Sequence, residues 1–213
     1  MPKSSVTSPR RRLGRRPGAP ETQSEIVDAA RGLFAAHGYA GTSIRAVATA
    51  AGVDPALVHH YFGTKEGLFR AALEVPVDVD SLLNRVLTGE RDAAPVRLAE
   101  TFLDVWDSPE TGPAMLAFLR RVLADATATD LVRQFAVATV MKRAAAGLLA
   151  DVEPADAQAR VSMVFSQLLG VVVARRVLRI EPLAGMAREE LVQRVSDAVA
   201  THLRGVPATC PLT

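Results

Sequence analysis

The sequence predicts an all-α protein built in two parts, and three observations carry that prediction. Alanine, leucine, valine and arginine dominate, while aromatic residues make up only 5% of the chain, a balance that favours helix over sheet. Apolar residues recur at i, i+3, i+4 and i+7 through most of the sequence, and nowhere does a period-two alternation of useful length appear. Prolines at 76, 95, 109, 113, 154 and 182 then punctuate the periodic stretches into separate helices. At 213 residues the chain can hold one compact core or two small ones.

The first helix is signed by Thr22 and Glu25, spaced as a capping box in which hydroxyl and carboxylate satisfy each other's backbone donors. Ile26, Ala29, Ala30, Leu33 and Phe34 follow on one face, and Gly38 is placed to close the helix in a left-handed cap. Thr42 or Ser43 can cap a second short helix through about Ala51, which Gly52 ends. Asp54 and Pro55 read as N-cap and first helical residue, so 55–62 is a short helix stopped by Gly63. Thr64 caps the next helix, with Glu66 near the positive end of its dipole. Beyond Pro76 the pattern predicts helices at roughly 79–89, 93–107, 113–127, 130–151, 155–180 and 187–204.

Charge is distributed unevenly. Residues 1–20 hold Lys3, Arg10, Arg11, Arg12, Arg15 and Arg16 and no acid, leaving 19 of the 25 basic residues against all 23 acidic ones. A basic arm on a mildly acidic body is a common way to attract nucleic acid. No run approaches the roughly 18 uncharged apolar residues of a membrane span, so none is expected. The N-terminus is basic without an apolar stretch behind it, unlike a secretory signal. The lone Cys210 excludes an intrachain disulfide framework and suits a reducing, cytoplasmic setting.

The stretch "AAGVDPALVHHYFGTKEGLF" (50–69) concentrates the unusual chemistry. A helix–turn–helix needs a small residue where its helices cross and a glycine for the turn, and Ala48 and Gly52 supply them. Val47, Val53 and Val58 can lock the second helix on the first. His59 and His60 are adjacent and so diverge by about 100° on a helix, which suits them poorly to a shared metal ion. A two-turn exposed helix also offers no pocket for a general base.

With a basic arm before it and "VHHYFGTKEGLF" after it, this three-helix unit resembles the DNA-binding domain of the TetR family of transcriptional regulators over about residues 22–73. The carrying segments are "FAAHGYAGTS", "IRAVATAAGV" and the aromatic helix leading to Phe-Gly-Thr-Lys-Glu. The resemblance implies an all-α fold with an N-terminal helix–turn–helix DNA-binding domain at 21–74, preceded by a disordered basic arm at 1–20. A helical ligand-binding and dimerisation domain would follow at 75–205, with a disordered tail at 206–213.

It implies these DNA contacts. Arg45 reads a base edge or phosphate; Thr42 and Ser43 offer hydroxyl and backbone N–H to a phosphate; Pro55, Ala56 and Leu57 form an apolar tip facing thymine methyls. His59 and His60 read bases or phosphates, Tyr61 and Lys65 clamp the backbone, and Arg15 and Arg16 in "GRRPG" enter the minor groove.

Residues 21–72 carry Arg31, Arg45, Lys65 and Arg70 against Glu21, Glu25, Asp28, Asp54 and Glu66. Long-range attraction is therefore expected to come from the arm. Helix 155–180 is apolar almost all round, which implies burial on two sides. A homodimer is expected through Val161, Phe165, Leu168, Val172, Leu191, Val195 and Val199. Phe102, Trp106, Met115, Phe118, Phe135, Met141, Phe165 and Gln167 are the candidates for lining an effector pocket.

The function expected is a dimeric repressor on double-stranded, palindromic operator DNA, released by a small-molecule effector that the sequence does not identify. No cofactor, metal or membrane is expected, and no nucleophile–base pair or phosphate loop points to an enzyme. The alternatives are a helical protein-interaction module, or a DNA-binding regulator without an effector.

Overall fold

The computed structural model describes residues 19–204. Every regular element among them is helical: α1 (Ala19–Gly41), α2 (Ile44–Ala51), α3 (Pro55–Phe62), α4 (Lys65–Leu73), α5 (Val79–Leu87), α6 (Ala94–Asp107), α7 (Gly112–Ala124), α8 (Ala126–Phe135), α9 (Lys142–Leu148), α10 (Pro154–Val172) and α11 (Arg188–Arg204). The basic arm with Arg15 and Arg16, and the tail with Cys210, lie outside the described residues.

Local chemistry sets most boundaries. Ser43, Asp54 and Thr64 cap α2, α3 and α4, their side chains accepting from the backbone N–H groups of Ala46, Ala56 and Gly67. Gly52 closes α2 in the left-handed region at φ 67°, and the Val53 N–H donates to Ala48 O at 2.9 Å to form the tight turn. Several boundaries differ from the sequence pattern, among them the end of α7, which stops at Ala124, and the starts of α1 and α8. α1 starts at Ala19, with Pro20 in the first turn, so Thr22 lies inside the helix. α8 starts at Ala126 because Asp125 caps it, accepting from the Ala128 N–H at 2.8 Å.

The single helix expected at 130–151 is two, α8 and α9, joined by a π-turn at Ala136–Met141. A second π-turn, Val173–Val177, follows α10. Pro154–Val177 is, by length and composition, apolar enough to cross a membrane, with mean hydropathy 1.4. Its longest uncharged stretch, Val161–Ala174 between Arg160 and Arg175, still falls short of the roughly 18 uncharged apolar residues of a span. One side of that helix is packed in the protein's own core.

Helices α1–α4 form an N-terminal head around Ile26, Ala30, Phe34, Val47, Ala48, Val58, Leu68 and Phe69. Leu131 and Phe135 of α8 belong to the same cluster. The head's core therefore reaches past Pro76. In the second part, α11 lies along α6 and α10, burying Leu103, Val164, Leu168, Leu191, Val195 and Val199 together. Asp107 at the end of α6 holds Arg175 (2.8 Å) and Arg176 of the second π-turn. Burial opposes its charge, but the two guanidinium hydrogen bonds outweigh burial and hold its carboxyl below the ordinary value.

A candidate nucleic-acid interface on α2 and α3

The eight-residue α3 has one wholly buried side chain, Val58, which with Val47 and Ala48 fixes its crossing on α2. Pro55 and Leu57 are half-buried, while Ala56, His59 and His60 are exposed. Tyr61 and Phe62 lean against the head's core, and Tyr61 meets the His60 ring edge-on at 5.5 Å. Arg45 is exposed on α2 and makes no ion pair among the described residues. The head's other arginines are engaged elsewhere, Arg31 with Asp28 and Glu74, Arg70 with Asp78. Free cationic charge on the head is therefore concentrated at Arg45 and Lys65.

His59 has a defined tautomer. Its Nδ1 lies 2.9 Å from the Gly63 carbonyl, which can only accept, so Nδ1 carries the hydrogen. A neutral His59 thus presents Nε2 outward as an acceptor. Among the described residues, no group of three or more His, Cys, Asp or Glu side chains is placed to share a metal ion.

Thr42 departs from the sequence expectation. Its side chain is buried, and its hydroxyl is shared between the carbonyls of Gly38 (2.9 Å) and Leu33 (3.1 Å). That hydroxyl ties the end of α1 to the start of α2 and is not available to a phosphate. The exposed hydroxyl there belongs to Ser43.

Residues expected to line one effector pocket do not come together. Phe135 sits in the head's core, stacked on Phe69 at 4.8 Å. Trp106 and Met141 are both buried, Met141 in a different cluster from the one Phe102 packs against, and Phe102 is tilted against Trp106 at 6.1 Å. Phe165 and Gln167 are exposed, and Met115 is half-buried. Phe118 alone of the set lines a cleft of about 270 Å³ between the head and α7–α8, beside Arg31, Phe34, Leu73, Arg121 and Leu131. A second cleft of about 360 Å³ lies among Arg91, Leu148, Arg160 and Leu203. Large apolar side chains fill a core from any helix face, so their presence marks burial rather than a shared cavity.

The predicted dimer residues also divide. Val161, Leu168, Val172, Leu191, Val195 and Val199 are all buried within a single chain. Only Phe165 is exposed, at 39%; it and Met163, at 52%, stand at opposite flanks of the buried stripe of α10, and Val177 of the second π-turn is exposed at 37%. The outer face of α11 is polar, with Glu190 paired to Arg194 and Gln193 to Asp197. Both stripes were real, but they face inward.

Sequence reasoning missed Tyr39. It is 5% exposed and bonded both to α4 and to α8 and its π-turn. The available signal was that one of only two tyrosines follows Gly38, the glycine that kinks α1 near its end.

Comparison with known proteins agrees with this geometry. The family model "Bacterial regulatory proteins, tetR family" matches residues 26–72. The model "Tetracyclin repressor-like, C-terminal domain" matches residues 92–203, more than half of the chain. The chain is 29% identical over 194 residues to the HTH-type transcriptional regulator BetI of Rhizobium meliloti, covering 87% of this chain and 91% of BetI. It is 39% identical over 87 residues to the HTH-type transcriptional repressor Rv3405c of Mycobacterium tuberculosis, covering 41% and 43% of the two chains. The crystal structure of a TetR-family regulator from Streptomyces coelicolor is 34% identical, covering 90% of this chain and 99% of that one, with a TM-score of 0.45. With a helix–turn–helix head and a helical second part that each match the family's own, this chain belongs to the TetR family of DNA-binding transcriptional regulators.

Proposed function

We propose that the protein acts in the cytoplasm as a homodimer that represses transcription from a palindromic operator and leaves it when a small molecule binds. The observation that carries the DNA reading is the surface of α2 and α3. Arg45 stands there without an ion pair, beside a capped two-turn helix that exposes His59 and His60. An α-helix fits the major groove, and Arg45 has the fork that reads guanine. His59 offers Nε2 as an acceptor, which suits the amino group of cytosine or adenine. Pro55, Ala56 and Leu57 bring apolar contact at the tip, Ser43 and Lys65 hold phosphates, and Arg15 and Arg16 extend the contact into the minor groove.

The dimer is supported by α10, which leaves Met163 and Phe165 exposed at the two flanks of its buried side. The cleft between the head and α7–α8 supports an effector site, because an occupant there touches both parts.

Selection of bound duplexes from a random pool by the full chain tests the reading. An enriched inverted repeat, its half-sites spaced by whole helical turns, is expected. Recovery of unenriched DNA would refute sequence-specific recognition.

A further inference from the structure

Lys65 and Glu66 are neighbours of opposite charge at the start of α4, beside the proposed DNA surface, and a single buried tyrosine holds both. The Lys65 ammonium lies 4.5 Å from the centroid of the Tyr39 ring, on its face, and 3.5 Å from the Ala40 carbonyl. The Tyr39 hydroxyl donates to Glu66 Oε1 at 3.0 Å. Burial pushes the Tyr39 hydroxyl up to about 12, so it stays a donor at every physiological pH. Burial opposes the charge on Glu66, yet bonds from its own backbone N–H, from Tyr39 and from Thr64 outweigh burial and keep it ionised.

Tyr39 in turn takes its place from outside the head. Its backbone N–H donates to Gln134 Oε1 at 2.9 Å, and Thr139 of the π-turn donates to its hydroxyl at 3.4 Å. The ring stands edge-on to Phe135 at 5.4 Å. Gly38, at φ 71°, gives Gln134 its room, since a Cβ there would fall 2.5 Å from the same Oε1.

We propose that Tyr39 is a positioning residue for DNA binding: it keeps Lys65 open to a phosphate by seating the ammonium on its ring face and occupying Glu66 with its hydroxyl. Because Gln134 and Thr139 place Tyr39, the strength of that phosphate contact is set from α8 and its π-turn. The inference rests on the reading of Lys65 as a phosphate contact.

The test is the salt dependence of binding to a labelled mixed-sequence duplex, with the full chain. Lys65→Ala should flatten the slope of log affinity against log salt by about 0.9 per subunit. Tyr39→Phe keeps the ring packed but frees Glu66 to neutralise Lys65, so it should flatten the slope in the same way. Adding Glu66→Gln to Tyr39→Phe should restore the slope, and Tyr39→Phe should have no further effect in a Lys65→Ala chain. Gln134→Ala should also flatten it, although residue 134 lies outside the head. An unchanged slope in Tyr39→Phe would overturn the proposal, and so would a loss that Glu66→Gln does not rescue, because that marks a purely structural role. An unchanged slope in Gln134→Ala would overturn the link to α8. If the unaltered chain does not bind the duplex at all, the DNA-binding reading fails instead.

Discussion

α3 and α10 expose different kinds of side chain, and the contrast indicates what each surface meets. α3 buries Val58 completely and leaves two histidines in water, with Tyr61 half-covered above its base. α10 buries Val161, Val164, Leu168, Val171 and Val172 on one side and still exposes Met163 and Phe165 at that side's two flanks. Rings with polar edges standing beside an unpaired arginine suit a wet, charged partner that is read by hydrogen bonds. Methionine and phenylalanine suit a dry one, met by area. A short capped helix serves the first purpose because one anchoring side, with Val58 at its centre, fixes it and leaves Ala56, His59 and His60 outside. A long helix serves the second because it carries more large apolar residues than its own core takes up.

The largest expected effect separates the two sides of α10. Val172→Glu places a carboxylate without a partner in the core, a change of the class that costs more than about 4 kcal/mol, and the folding transition should be lost or shifted far down. Met163→Glu places the same charge on the outer face. It should leave the melting temperature nearly unchanged while light scattering reports monomers. A folded, dimeric Met163→Glu chain would move the interface away from that face.

Deleting residues 1–16 should come next, and it weighs the arm against α3. Residues 21–72 carry slightly more acid than base. If about three arginines per subunit engage phosphates, the salt slope should flatten by roughly five units, with operator preference kept. A slope that does not change would leave the head alone to hold DNA.

Arg45→Ala tests the polar surface directly. A loss of about 1–3 kcal/mol, with preference relaxed at one operator position, is expected if Arg45 reads guanine. Uniform weakening on all sequences, as expected for Lys65→Ala, would make it a backbone contact.

The smallest effect belongs to Thr42→Val. With its hydroxyl spent on Gly38 and Leu33, the change should lower stability by about 1 kcal/mol and leave the salt slope alone. A flatter slope would return Thr42 to the DNA surface.

The sequence by itself determined what depends on neighbours along the chain. Caps at Ser43, Asp54 and Thr64, Pro55 at a first helical position, and the left-handed Gly52 are each satisfied within a few residues. The helix–turn–helix is a local motif, so its surface could be read almost position by position. Periodicity also revealed the apolar stripes of α10 and α11, but a stripe has no label for what covers it. Only the tertiary structure decided that Val161 to Val199 face their own domain, leaving Met163 and Phe165 outside. Only packing could draw Phe135 from the expected pocket into the head's core, and bring Gln134 and Thr139 to Tyr39 from about a hundred residues away. Such contacts are chosen by which surfaces meet when helices pack, and burial rewards apolar area without regard to its place in the sequence.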